Sequence, residues 1–219
     1  MKKLILLLFV FPILFGAPSL LGTNGLVNMP AATSIKYKEF DFGVNWELLQ
    51  TELSNGSHHQ INYYANLGIF DGVELGFIGN NVNEGVFISA KYYMLSDKSK
   101  YPLGLAVGLT NLSSHTNTDL YLVLSKNFPN KLAGHLGFKS NILAGKISAT
   151  VMFGMEMYMS QYLTVLGDLI GSDDTWILST GVRLKIMEDM MLNVYLEDLA
   201  NNTPKKATFS IGVSWHNIL

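Results

Sequence analysis

Residues 40–48 read Phe-Asp-Phe-Gly-Val-Asn-Trp-Glu-Leu, and this stretch decides the fold class. Phe40, Phe42, Val44, Trp46 and Leu48 alternate with Asp41, Gly43, Asn45 and Glu47. Successive side chains of a β-strand point to opposite faces, so this segment has one apolar face and one polar or small face. The same period continues to the end of the chain. It passes through Ile61–Ile69, Val73–Phe77, Val86–Tyr92, Leu103–Leu109, Leu120–Leu124, a weaker Leu132–Phe138, Val151–Met159, Leu163–Leu169, Trp176–Ile186, Leu192–Leu196 and Phe209–Trp215. Turn residues separate these runs: Asp71-Gly72, Asn80-Asn81, Asn111, Pro129-Asn130, Gly171-Ser172-Asp173 and Asn201–Pro204. The count is about 12 strands, within roughly 10–14, and an even number suits a bacterial single-chain barrel.

Alternation alone does not say which face is inside. A secreted soluble sandwich or lipocalin-like barrel alternates too, with its apolar face inward. Three features favour the reverse. The second face is rich in Gly, Asn, Ser and Tyr with isolated charges, where a soluble sandwich carries more charge. Phe40, Tyr92, Tyr93, Tyr101, Tyr162, Trp176 and Trp215 lie toward strand ends, as an aromatic girdle requires. The last run, ATFSIGVSW, is a terminal strand of the kind barrel assembly machineries read, although the chain ends HNIL. The expectation is an all-β chain forming an antiparallel transmembrane β-barrel in the outer membrane of a diderm bacterium.

The first residues agree with export. Lys2 and Lys3 precede an apolar run of 12 residues, Leu4–Phe15, and small Gly16 and Ala17 follow. This is the tripartite signal-peptide pattern, too short to span a bilayer comfortably and broken by Pro12. Residues 1–17 are expected as signal peptide, 18–38 as a periplasmic leader or rim segment, and 39–219 as the barrel. Without Lys2 and Lys3, 13 basic residues face 17 acidic ones, a net charge of −4, which excludes a strongly basic nucleic-acid surface. The chain has no cysteine and therefore no disulfide framework.

The segment Gly25–Ala32, GLVNMPAA, followed by EFDFGVNW, resembles the opening of YjbH-type outer-membrane proteins. Gly25, Leu26, Pro30 and Ala32 carry the resemblance, and Thr33 stands where a basic residue often follows. The closing portion, GVRLKIMEDMMLNVYLEDL and TFSIGVSW, is also similar to the end of such barrels. The resemblance implies an envelope location and a link to exopolysaccharide production and secretion. Family members are typically several times longer. Read from its residues alone, the leader enters the barrel mouth or lies along the periplasmic rim as a stiff connector.

The polar face places Asp41, Glu47, Glu74, Lys91, Lys139, Glu156, Asp168, Arg183, Lys185 and Glu197 in the lumen. Neighbouring strands offer Glu74 with Lys91, Asp168 with Arg183, and Lys185 with Glu197 as ion pairs. With both signs present, no ion preference follows. The loops are short, none long enough to fold deep into the lumen as a plug. His58, His59 and His115 could meet on outer loops, but adjacent strand histidines point to opposite faces. The chain has neither GxSxG nor HExxH, and the Met155, Met157 and Met159 stripe reads as lipid contact. No enzyme activity, cofactor or metal is expected. The expected partners are lipid, the barrel assembly machinery and, through the resemblance, envelope or polysaccharide-export proteins. Three functions compete: a narrow pore or export accessory, a closed, salt-bridged envelope scaffold, and a secreted soluble β-protein.

Overall fold

The alternation that starts at Phe40 becomes strand β1, Glu39–Gln50. Eleven more follow in the computed structural model: β2 Ser57–Phe70, β3 Val73–Asn80, β4 Val86–Leu95, β5 Gly104–Thr110, β6 Asp119–Phe128, β7 Leu132–Asn141, β8 Ala149–Tyr158, β9 Leu163–Ser172, β10 Thr175–Lys185, β11 Met190–Glu197 and β12 Thr208–Ile218. The structure describes residues 17–50, 57–82, 85–96, 102–114, 117–142, 149–172, 175–203 and 207–218. Residues 1–16 of the expected signal peptide, together with Tyr101 and His115, lie outside them.

Each strand pairs antiparallel with its sequence neighbours, and β12 returns to β1 in register from Glu39 opposite Ile218 to Leu48 opposite Phe209. The sheet thus closes with no unpaired edge, as a spanning sheet must where no water can satisfy the backbone. Strand β7, weak in the sequence, is as long as most others at 10 residues. Gly72, at φ 77°, supplies the left-handed residue in the two-residue link between β2 and β3.

The faces sort as the alternation requires. Phe42, Val44, Trp46, Leu122, Phe153 and Val213 are exposed on the outer wall, and so are Met155, Met157 and Met159. Asp41, Asn45, Asn66, Glu74, Lys91 and Asn193 are buried inside. So continuous an apolar exterior exceeds the patches that soluble proteins carry, and its natural solvent is lipid. Of the girdle candidates, Phe40, Tyr92, Tyr162 and Trp215 sit at the barrel end that carries the chain termini, and Trp176 at the opposite, loop end. Inside, three tyrosines each lie over the glycine directly across the ladder: Tyr64 over Gly43, Tyr121 over Gly108 and Tyr195 over Gly181. A side chain on those glycines would occupy the space the rings fill.

Of its two expected paths, the segment preceding β1 takes the inward one: residues 17–36 fold inside the barrel. Leu26, Val27 and Met29 are 0% exposed, and Ala31, Ala32 and Ile35 are buried too. Two short consecutive turns shape it, marked by the bridges Pro18–Asn24 and Gly25–Pro30. The chain leaves the lumen past Gly68, where the Lys38 N–H donates to the Gly68 carbonyl at 3.0 Å, and enters β1 through Lys38 at φ 69°.

Candidate functional site

The lumen is the candidate site, and the wall differs from one side to the other. Strands β1–β4 and β10–β12 present polar and charged groups. Strands β5–β9 present Ala106, Val123, Met152, Leu166 and Ile170, which form one apolar cluster with Leu26, Val27, Met29, Ala31 and Ala32 of the luminal segment, and Ser125, His135 and Asp168 are interspersed among them. These inward apolar residues escaped the sequence reading. Their signal is a run apolar on both faces, such as Leu122-Val123-Leu124 or Leu169-Ile170, which alternation does not assign to a side.

Polar and charged groups of the wall hold the segment by its backbone. Glu74 accepts the Asn24 N–H at 2.6 Å and the Ile35 N–H at 3.4 Å. Lys91 donates to the Asn24 carbonyl at 2.9 Å and pairs with Glu74 at 3.2 Å, both side chains being wholly buried. Asp168 accepts the N–H groups of Asn28 and Met29 at 2.7 and 3.1 Å. Arg183 donates to the carbonyls of Gly25 and Leu26 at 2.7 and 2.9 Å, and its Nε donates to the Tyr195 hydroxyl at 3.1 Å. The Ala32 N–H donates to Ser125 Oγ at 2.8 Å, and Ser125 in turn bonds His135 Nδ1 at 2.7 Å. Near the loop end the Asn28 amide donates to Glu197 at 3.0 Å.

Wall glycines mark where the segment passes. A Cβ on Gly76 would lie 2.8 Å from the Gly22 carbonyl oxygen, and one on Gly104 would lie 3.0 Å from that of Ala32. A Cβ on Gly154 would lie 2.7 Å from the Leu26 side chain. Glycine in a strand interior commonly signals such close approach.

The ten expected lumen residues divide as follows. Asp41, Glu47, Glu74, Lys91, Asp168 and Arg183 are buried in the interior. Asp41 bonds His216 Nδ1 across the β1–β12 seam at 2.5 Å, and Glu47 accepts from the Asn62 amide. Glu156 accepts from the Tyr158 hydroxyl at 2.7 Å and lies 3.9 Å from His135 Nε2. Lys139 pairs with Asp119 at 3.4 Å toward the loop end. Glu74 and Lys91 face each other in register, as their spacing suggests. The other two expected pairs are corrected by register. Asp168 lies opposite Ser179 and Arg183 opposite Thr164, four residues apart along β10, or roughly 13 Å at about 3.3 Å per residue. Lys185 and Glu197 stand at opposite ends of the β10–β11 pair. Gly25, Leu26, Pro30 and Ala32, the resemblance residues, all belong to the luminal segment. His59 stacks on Trp46, with ring centroids 5.3 Å apart. Among the described residues no cluster of three metal-ligating side chains occurs.

This architecture is a closed, twelve-stranded transmembrane β-barrel, occupied by its own segment ahead of β1. Solved structures share the fold. The KdgM porin matches with a TM-score of 0.61 at 14% identity, over 80% of this chain and 98% of that one. The KdgM porin in complex with disordered oligogalacturonate and the NanC porin each match at 0.60 and 13% identity, over the same shares. Identity at this level speaks for the fold alone. Neither a protein-family model nor a curated protein sequence matches the chain.

Proposed function

We propose that the protein is an outer-membrane pore for small polar solutes, closed in this conformation by residues 17–36. The observation that carries the reading is the state of the wall. Among the described residues, the buried wall atoms Asn45 Oδ1, Asn66 Oδ1, Ser89 Oγ, Asp168 Oδ1, Asn193 Oδ1 and Ser210 Oγ have no hydrogen-bond partner. A buried polar atom without a partner costs about 1–3 kcal/mol, a cost that water in an open lumen removes. A wall made for a permanent core would be apolar throughout or fully paired. The porin fold of the neighbours is consistent with this function. The signal peptide, if cleaved after Gly16 or Ala17, frees the segment to enter the barrel, and the assembly machinery and outer-membrane lipid are the partners this route requires.

The solute class has two carbohydrate precedents. The YjbH-like opening makes exopolysaccharide a candidate cargo, and one fold neighbour binds an oligogalacturonate. The closed-scaffold reading draws on the Glu74–Lys91 pair, which is wholly removed from solvent.

A cysteine staple separates pore from scaffold. The Ala32 Cβ lies 3.5 Å from the place a Gly104 Cβ would take, within disulfide reach, and the chain has no other cysteine. The double variant Ala32→Cys/Gly104→Cys is reconstituted in planar bilayers. Conductance that appears on reduction and vanishes on oxidation supports the pore. A folded barrel that never conducts in either state refutes it.

A further inference from the structure

We infer that the solutes this lumen accepts are short peptides, held by their backbone amides. The inference rests on the pore reading and names its substrate class. The luminal segment serves as a covalently attached occupant, so its contacts report what the wall recognises. Two of the wall's carboxylates, Glu74 and Asp168, take four N–H groups, those of Asn24, Ile35, Asn28 and Met29. Its two buried cations, Lys91 and Arg183, take the carbonyls of Asn24, Gly25 and Leu26. Charged acceptors meeting N–H and charged donors meeting C=O complement a peptide unit, which offers one of each.

The inward apolar residues complete the match. Val123, Met152 and Leu166 share one cluster with the apolar side chains of Leu26, Val27 and Met29. A chain with polar backbone and apolar side chains therefore finds both of its chemistries satisfied. A neutral sugar has only the C–H faces of its rings to place there and no alkyl side chain to bury. When the segment withdraws, Asp168 gives up the N–H groups of Asn28 and Met29, and Arg183 gives up its peptide carbonyls while keeping Tyr195. These positions then face the lumen, ready for the amides of an incoming chain.

The test compares two uncharged solutes entering liposomes that contain the full-length protein. One is the peptide Leu-Val-Asn-Met, acetylated and amidated so that it carries no terminal charge. The other is a neutral trisaccharide of similar mass. The peptide is expected to enter faster by about fivefold, the worth of one net hydrogen bond of about 1 kcal/mol. Excess peptide is expected to slow trisaccharide entry. Asp168→Asn, with its barrel confirmed by heat-modifiable gel migration, lowers the peptide-to-sugar ratio. Met155→Leu, on the lipid face, leaves the ratio unchanged. Equal entry without block, or faster sugar entry, overturns the peptide assignment and leaves the pore standing. No entry of either solute overturns the pore and the peptide assignment with it.

Discussion

Gly76 offers a clean way to move the luminal segment without touching a charge. It faces the lumen from the middle of β3, between Asn66 on β2 and Ser89 on β4. A Cβ built there would lie 2.8 Å from the Gly22 carbonyl oxygen, 3.0 Å from its carbonyl carbon and 3.2 Å from Thr23 Cγ2. Two of these atoms are backbone, so no rotamer change relieves the contact. The wall is clamped by ladder bonds on both sides, whereas the segment is anchored by separate hydrogen bonds, so the segment gives way. Overpacking of this kind costs about 1–3 kcal/mol, which at 1.4 kcal/mol per decade shifts the docked-to-released ratio by roughly 5- to 150-fold. Gly76→Ala sits at the low end and Gly76→Val at the high end. The barrel itself does not suffer, since replacing an interior strand glycine by alanine recovers about 0.5–1 kcal/mol of backbone entropy. Single-channel recording in planar bilayers reads the result as open probability, rising in the order wild type, Ala, Val. Gly134→Ala is the control, because its Cβ would meet only the Phe128 ring edge at 3.3 Å. Gly76→Val with wild-type gating and an intact barrel would refute the idea that the segment closes the pore.

Three further changes probe the other links. Lys91→Met strands the wholly buried Glu74 carboxylate, and breaking a buried pair costs about 3–5 kcal/mol, seen as a lower urea midpoint for unfolding from vesicles. Adding Glu74→Gln should restore much of that loss, and an equal or lower midpoint in the double variant would contradict the pairing argument. Val44→Lys puts a charge on the lipid face and should cost about 2–4 kcal/mol of folding free energy in bilayers. Unchanged folding would argue that this face meets water. In the link after β11, burial would raise the Asp198 pKa, but hydrogen bonds from Thr203 and the Asn202 N–H outweigh it and hold the carboxyl below its ordinary range. A depressed folded pKa gives stability that is present above the unfolded value and lost as pH falls through the folded one. Amide exchange at Asn202 and Thr203 should therefore accelerate only in strong acid, and Asp198→Asn should show the fast exchange at neutral pH.

The barrel was legible because its pattern is local. Each pleat sends neighbouring side chains to opposite faces, so Phe42, Val44 and Trp46 declared a surface together wherever the strand ended up. Glu74 and Lys91 were legible as partners because a short link brings β3 and β4 into adjacent register. Asp168 with Arg183 and Lys185 with Glu197 were not, because the register of a ladder is a property of two strands and of barrel closure. A shift of four residues separates side chains that share a face.

The sequence by itself determined a barrel of about twelve strands and the split between an apolar and a polar face. Only the tertiary structure decided that Gly25, Leu26, Pro30 and Ala32 lie inside the barrel. That segment has no period, and its turns leave many backbone paths open. Its place is fixed by groups far away in the chain: the Asp168 carboxylate, the Arg183 guanidinium, and the inward Val123, Met152 and Leu166. Those groups form one surface only after β12 has met β1.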